Sequence, residues 1–423
     1  MTDFSKISDS FGAGEKAPLE KINFLLSHAR KNLPAYDALC RASGLSNDAP
    51  KSLEEIKNIP PMTRADLAMK TNLLRNGTAV TNLKSGGTSR TDRLETALDV
   101  GAVLKRYASL LAVLSATGWD MGQKTAALHP IEYGYFNNLG EMIRERAFSK
   151  MAFEFFQQYI LYGLFHNREN IPYASGIFSR PHEAAGLLER ALHKTPVLLI
   201  TRPDALMAAL KAGGPVVSRA TGRLKAVLTV GTVLGETVRL EAEEKLNAMV
   251  FNMYASTELG YVALNCARSG EWLHVNESDY FAETDASGEI LITDFNNRLM
   301  PMLRYRTGDI GVIKETACAC GISGKSLRIC GRKDKFIESD SGERIYETNL
   351  INFAFAARLP FFQTRCVPGQ NAVEITLLEK DSGLEEKISG SARDHLGIAG
   401  SRLEFRFADE FKIPPSGKFC FLP

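Results

Sequence analysis

The chain lacks any uninterrupted apolar run near the roughly 20 residues that a membrane span requires, although 44% of its residues are hydrophobic. It also lacks an excess of charge of either sign, since 51 Lys and Arg stand against 49 Asp and Glu, a net +2. That balance gives no argument for nucleic acid or an acidic membrane surface. The opening residues, MTDFSKISDS, carry acids and hydroxyls and no apolar core, so no signal peptide is expected. Cysteine is sparse and odd in number, seven in 423 residues, which favours a reducing cytoplasm over a disulfide framework. There is no internal repeat and no low-complexity segment. What remains is an ordinary globular composition. At about 100–200 residues per domain it is long enough for one large domain and a smaller one.

Among the segments that are present, Arg304-Tyr305-Arg306-Thr307-Gly308-Asp309 organises the rest. It reads as an extended run from Met302 to Arg306 ending in a Thr-Gly-Asp turn, where Gly308 lets the backbone bend. Asp309 is then held at the tip, close in the chain to cationic Arg304 and Arg306. A fixed carboxylate accepts well from two vicinal hydroxyls, as on a ribose; an ordinary surface turn is the alternative.

Earlier in the chain, Leu19, Ile22, Leu25, Leu26 and Ala29 lie at helical spacing. Ser52-Leu53-Glu54-Glu55 reads as a capping box opening a second helix, and Thr63-Arg64-Ala65-Asp66 opens another after Pro60-Pro61. Ser85-Gly86-Gly87-Thr88-Ser89 can turn backbone N–H groups and hydroxyls onto an anion, without the Gly-Lys-Ser/Thr ending of a Walker-type loop. A Gly/Ser-rich loop with no chemical role is the alternative. Between about 98 and 260, helical stretches (98–115, 182–193, 203–212, 235–247) alternate with the short apolar runs Thr125–His129, Val197–Thr201, Ala226–Val230 and Met249–Met253. This is the pattern of βαβ units and a largely parallel sheet, whose ligands gather beyond the carboxyl ends of strands. Gly231-Thr232 and Tyr254-Ala255-Ser256-Thr257-Glu258 fall there. Tyr254 offers a flat face for a base, Thr257 a hydroxyl for a phosphate and Glu258 a hard oxygen for Mg²⁺. The alternative is a helix N-cap at Ser256 or Thr257, with Glu258 in the first turn.

Residues 288–315 read as β-structure. A strand at 326–330 leads into Gly331-Arg332-Lys333-Asp334-Lys335, and the boundary between a first domain (1–333) and a second (334–423) is placed at Asp334. The second is a compact module with helices near 347–358 and 383–396 and strands at 372–378 and 403–407. Its last turn, Pro414-Pro415-Ser416-Gly417, presents Lys418, which alone is an ordinary surface charge.

The order of these segments (hydroxyl/Gly loop, Tyr-x-Ser-Thr-Glu, Arg-Tyr-Arg-Thr-Gly-Asp, Gly-Arg-x-Asp, Gly-Lys) resembles the adenylate-forming superfamily of acyl- and aryl-CoA ligases, in particular its phenylacetate–CoA ligase-like branch. The similarity takes in His28–Leu67 and His274–Glu283 and runs across nearly the whole chain. It implies an α/β fold in which a large N-terminal adenylate-forming domain with βαβ sheets is joined by a hinge to a small α+β C-terminal domain. It implies ATP-dependent activation of a carboxylic acid, expected to be aromatic, as an acyl-adenylate. Pyrophosphate is released and the acyl group passes to coenzyme A. An amine, a carrier-protein thiol or another biosynthetic acceptor is the alternative, and a catalytically inactive nucleotide-binding homologue the second. Residue by residue, the resemblance implies that Ser85, Gly86, Gly87, Thr88 and Ser89 form the phosphate loop. Gly231 and Tyr254 line the adenine, with Ser256 beside them, and Thr257 contacts the α-phosphate. Glu258 holds Mg²⁺, Asp309 binds the ribose, Arg332 lies near the nucleotide, Asp334 is the hinge, and Lys418 bridges carboxylate and α-phosphate. The sequence departs from the family at Arg90-Thr91-Asp92, where Gly-Lys-Pro is usual, and its C-terminal domain is short.

Tyr133, Tyr135 and Phe136 are candidates for the acid pocket, by burial and stacking of aromatic area, with core packing the alternative. Cys266, His274, Cys318 and Cys320 supply a Cys₃His set suited to tetrahedral zinc, with reduced, partly buried thiols the alternative. The resemblance favours zinc. The expected partner is a small carboxylic acid, with no nucleic acid and no membrane, in the cytoplasm. A homodimer is left open.

Overall fold

The computed structural model describes residues 18–45, 49–68, 79, 81–84, 94–130, 143–144, 148–156, 164–174, 177, 181–212, 223–367, 369–414 and 416–423. The chain divides into two compact units interleaved along the sequence. One comprises Met1–Asp120, Phe136–Leu161 and Met253–Arg328, the other Met121–Tyr135, Tyr162–Asn252 and Ile329–Pro423. No described helix is long and apolar enough to cross a membrane.

In the first unit, helix Pro18–Asn32 buries Ile22, Leu25, Leu26 and Ala29, the stripe its sequence spacing predicts. The helix expected from Ser52 shrinks to one 3-10 turn, Glu55–Asn58, although the Ser52 hydroxyl does accept from the Glu55 amide at 3.2 Å. Ile59 precedes Pro60, and the residue before a proline is pushed out of the helical region, which stops the helix after a turn. At Thr63 the capping box forms, with reciprocal bonds between Thr63 and Asp66 of 2.7 and 3.3 Å. Besides the antiparallel pair Thr81–Lys84 and Glu95–Leu98, the described strands of this unit are Tyr280–Thr284, Glu289–Asp294, Met302–Ala317, the first part of Ser323–Arg332, Leu273–Val275, Gly260–Asn265 and the second half of Met249–Ser256, in that spatial order in one sheet. Their pairings are antiparallel.

The Thr-Gly-Asp segment corrects the sequence reading. It does not reverse the chain, because one long strand runs through it from Met302 to Ala317. It is a bulge: Leu291 pairs with Arg306 but Glu289 with Ile310, so the long strand carries two extra residues there. Gly308, at φ 74°, absorbs the left-handed step.

In the second unit the spatial order is the first half of Met249–Ser256, then Ala226–Val230, Leu198–Thr201, Thr125–Pro130 and Arg168–Tyr173. The last four pair in parallel, so the parallel sheet expected from the alternating pattern belongs to this unit. Arg168–Tyr173 is an edge strand that hydrophobic runs did not reveal. Its sequence, RENIPY, is polar and contains a proline, which only an edge tolerates. Helices Pro203–Lys211 and Glu236–Leu246 pack through Leu206 and Val238 into one apolar core with Ile351, Phe353, Phe362, Phe419 and Phe421 of the C-terminal segment. The last residues are therefore core. Phe362 meets Phe421 edge-on at 4.9 Å, and Phe419 meets Phe421 at 5.2 Å.

Glu347 fastens this tail. Its carboxylate accepts from the Phe421 and Leu422 amides at 2.7 and 3.0 Å. Burial nevertheless pushes it up from 4.5 to about 7, against those two donors and nearby Lys335. The folded chain thus holds this proton more tightly than the unfolded chain does. The associated stability is fully present below pH 4.5 and is lost as pH rises through about 7. Urea unfolding between pH 5 and 8 should show the wild-type chain losing stability relative to Glu347→Gln, whose side chain does not titrate. Parallel pH profiles for the two would contradict this.

Candidate functional site

Ser256 and Gly260 pair across a hairpin, leaving Thr257-Glu258-Leu259 as its tight turn. The helix N-cap alternative is thereby replaced. Gly260, at φ 89°, supplies the left-handed residue that closes the turn, and the Ser256 hydroxyl accepts from the Leu259 amide at 3.1 Å. Three carbonyls of the turn are taken up by the surrounding unit. Arg106, on helix Val100–Ala116, donates to Thr257 O at 2.9 Å and also to Glu258 O. The Tyr280 hydroxyl donates to Leu259 O at 2.5 Å. A Cβ at position 260 would lie 3.2 Å from that hydroxyl.

The bulge is fixed just as fully. The Thr307 hydroxyl donates to Ile290 O at 2.8 Å and accepts from the Asp309 amide at 3.1 Å, while the Gly308 amide donates to Glu289 at 3.2 Å. Arg306 bridges Asp285, at 2.9 Å, and Glu289. Burial would raise the Asp285 carboxyl, but bonds from Ser287, Glu289 N and Arg306 hold it at about 2. Arg304 pairs with Glu283 at 2.8 Å and donates to Lys57 O and Ile59 O, each at 2.6 Å. The two arginines next to Asp309 in sequence are thus committed to other carboxylates.

Two hydrogen bonds join hairpin turn and bulge. The Tyr254 hydroxyl donates to Asp309 Oδ2 at 2.7 Å, and the Tyr305 hydroxyl donates to Glu258 Oε1 at 3.0 Å. Tyr254, Ser256, Thr257, Glu258 and Asp309, drawn from segments some fifty positions apart, form one constellation within the first unit. Sequence reasoning missed Tyr305 as the partner of Glu258 and Arg106 as the brace of the turn. Tyr305 lay inside the right motif, but Arg106 had no local signal, being one charge on an amphipathic helix. Gly231, Arg332, Asp334 and Lys418 belong to the second unit. Gly231, at φ 102°, follows strand Ala226–Val230. Arg332 ends strand Ser323–Arg332, and Asp334 lies exposed in the turn after it. Lys418 is half-buried. Ser85, Gly86, Gly87, Thr88, Ser89, Tyr133, Tyr135 and Phe136 lie outside the described residues.

The first unit also brings Cys266, His274, Cys318 and Cys320 together, their ligand atoms all within 4.8 Å of one another. Cys266 Sγ stands 3.7 Å from Cys318 Sγ, and His274 Nε2 stands 3.4 Å from Cys266 Sγ and 3.5 Å from Cys320 Sγ. Tetrahedral zinc, with bonds of about 2.3 Å to sulfur and 2.0 Å to nitrogen, sets sulfurs about 3.8 Å apart and sulfur and nitrogen about 3.5 Å apart. The cluster therefore has the dimensions of a zinc site. Burial lowers the His274 pKa, which keeps the imidazole neutral, and Nδ1 lies 3.3 Å from the Ser326 hydroxyl, a partner that orients the ring. Burial pushes the Cys320 thiol up to about 12, a cost that a bound dication would reverse.

No protein-family model and no curated protein matches the sequence. Solved structures do. A 2-hydroxyisobutyryl-CoA ligase in its postadenylation state superposes with a TM-score of 0.71 over 95% of this chain and 88% of its own, at 13% identity. The fold is that of the acyl-CoA ligases. The o-succinylbenzoate-CoA synthetase of Bacillus subtilis, in complex with its acyl-adenylate, gives 0.52 over 81% of this chain and 68% of its own, at 14% identity. An amide bond synthetase from Marinactinospora thermotolerans gives 0.50 over 79% and 67%, at 16% identity.

The interlock of turn and bulge is testable on stability alone. Tyr305→Phe strands a carboxylate that is only 8% exposed and should cost about 1–3 kcal/mol in urea unfolding. Gly311→Ala would set a Cβ 2.4 Å from Arg328 O and 2.7 Å from Ile290 Cδ1. It should destabilise more than Tyr305→Phe; a smaller effect would mean that the bulge yields easily.

Proposed function

We propose that this chain uses ATP to convert a carboxylic acid into an acyl-adenylate and then transfers the acyl group to coenzyme A. The observation that carries the reading is the pair of bonds joining Tyr254 to Asp309 and Tyr305 to Glu258, on the acyl-CoA ligase fold. In this reading Asp309 accepts the ribose hydroxyls, and Tyr254 stacks on the adenine beside Ser256 and Gly231. Thr257 donates to the α-phosphate, Arg332 lies near the nucleotide, and Ser85–Ser89 cradle the outer phosphates. Glu258, which accepts from the Tyr305 hydroxyl, would hold Mg²⁺, which when bound offsets charge on the phosphates.

The acid's carboxylate attacks the α-phosphorus. The bond to the bridging oxygen breaks, and pyrophosphate leaves with its electron pair. Both reactants are anions, so the ammonium of Lys418 between them stabilises the transition state more than the ground state. A thiolate then attacks the acyl carbon and AMP departs. Lys418 serves only the first step, which suits a lysine carried on residues 334–423 and withdrawn by rotation at Asp334. The acid is read as aromatic, with Tyr133, Tyr135 and Phe136 in its pocket. Transfer to an amine or a carrier-protein thiol is the second reading, favoured by Arg90-Thr91-Asp92 in the phosphate loop.

We also propose that Cys266, His274, Cys318 and Cys320 bind one structural zinc ion, on the strength of their spacing.

ATP–pyrophosphate exchange against a panel of aryl and acyl acids, with and without coenzyme A, tests the main reading. Exchange and thioester formation are expected with at least one acid; exchange without thioester would favour the second reading. Lys418→Ala should lower exchange by about 10²–10³ yet spare thioester formation from a supplied acyl-adenylate. For the metal, elemental analysis after chelator-free purification should give one zinc per chain, falling in Cys320→Ser together with the melting temperature. Zinc-free wild-type protein would remove that site.

A further inference from the structure

Arg202 and Asp204 form an ion pair 7% and 0% exposed, with Arg202 Nε 2.9 Å from Asp204 Oδ1. Each of them also reaches the turn that carries Lys418. Arg202 donates to Gly417 O at 2.7 Å and Ser416 O at 3.5 Å, while Asp204 Oδ2 accepts from the Phe419 amide at 2.9 Å. The carbonyl before Lys418 and the amide after it are therefore both fixed by one buried pair. Gly417, at φ 65°, closes the turn by donating to Pro414 O at 2.8 Å. We propose that Arg202 and Asp204 are positioning residues for Lys418, a clasp that sets the backbone from which its ammonium is aimed. This rests on the role proposed above for Lys418.

Three observations favour a positioning role over a structural one. Buried ion pairs add little net stability, and apolar residues of equal volume would fill the space. Apolar residues would not supply two donors and an acceptor matched to a single turn. Second, Arg202 directly follows strand Leu198–Thr201, and Gly231 directly follows its parallel neighbour Ala226–Val230. A Cβ at Gly231 would lie 3.7 Å from Arg202 Cγ. The clasp thus stands at the carboxyl end of a parallel sheet, where ligands gather. Third, the tail beyond the turn has its own anchors in Glu347 and the phenylalanine cluster. The fold of the tail does not need the clasp; the orientation of residue 418 does.

Arg202→Met removes the fork. Arg202→Lys, the milder variant, keeps the charge beside Asp204 but has no planar fork with which to hold Asp204 and Gly417 O together. Amide hydrogen exchange is expected to quicken tenfold or more at 416–420 in both variants and to stay unchanged over 236–246. With any acid the wild type accepts, ATP–pyrophosphate exchange should fall about 10- to 100-fold, the scale of a reacting group displaced by an ångström. Thioester formation from supplied acyl-adenylate should change less than twofold. Unchanged hydrogen exchange at 416–420 would overturn the clasp. A faster turn with equal losses in both half-reactions would overturn its positioning role. If Lys418→Ala retained full pyrophosphate exchange, or the wild type exchanged with no acid, the proposed function would fail instead, and hydrogen exchange would still decide the clasp.

Discussion

A buried Glu258 and a half-buried Asp309, each accepting from a tyrosine hydroxyl, are the constraint on which the candidate site depends. A carboxylate removed from water needs hydrogen-bond donors. Glu258 accepts from the Tyr305 hydroxyl and Asp309 from the Tyr254 hydroxyl. The neighbouring arginines pair with Glu283, Asp285 and Glu289.

Much of this was legible in the sequence because its signals are local and repeat. The stripe of helix Pro18–Asn32, the alternation of apolar runs and helices, and the elements Glu347–Ala356, Val373–Leu377, Ser382–Leu396 and Leu403–Phe407 follow from periodicity, whereas strand Gln363–Cys366 was not read. What was not legible depends on partners far away. The bulge at Thr307–Asp309 looks like a turn, since Gly308 needs the same left-handed backbone in either. Only the pairing of Glu289 with Ile310 distinguishes them. The Thr257–Leu259 turn looks like a helix start, because hydroxyls followed by an acid suit both, and the register of Ser256 with Gly260 decides. Arg106 and Arg202 were invisible, one charge each, given meaning by carbonyls about 150 and 215 positions later. Residue type offered Cys266, His274, Cys318 and Cys320 as one set and the resemblance favoured it, because few residues ligate soft metals; the structure brings their ligand atoms within 4.8 Å of one another.

The C-terminal segment shows how little of a tail need be peripheral. Phe419 and Phe421 are buried to 1% and 0%, and a carboxylate on helix Glu347–Ala356 receives the last two amides of the core. Lys418 sits between these fixed points, half-buried. Its turn has an apolar anchor beyond it and buried hydrogen bonds from Arg202 and to Asp204 on either side of Lys418.

Arg304 and Tyr305 are adjacent, and their side chains serve different tasks. Arg304, at φ 46°, holds the carbonyls of Lys57 and Ile59; Tyr305 holds Glu258. Any lesion that shifts the Lys57–Ile59 segment is therefore one peptide bond from the residue that holds Glu258, although almost 250 positions separate it in sequence. Damage at Lys57–Ile59 would reach the Tyr305–Glu258 bond without touching either residue.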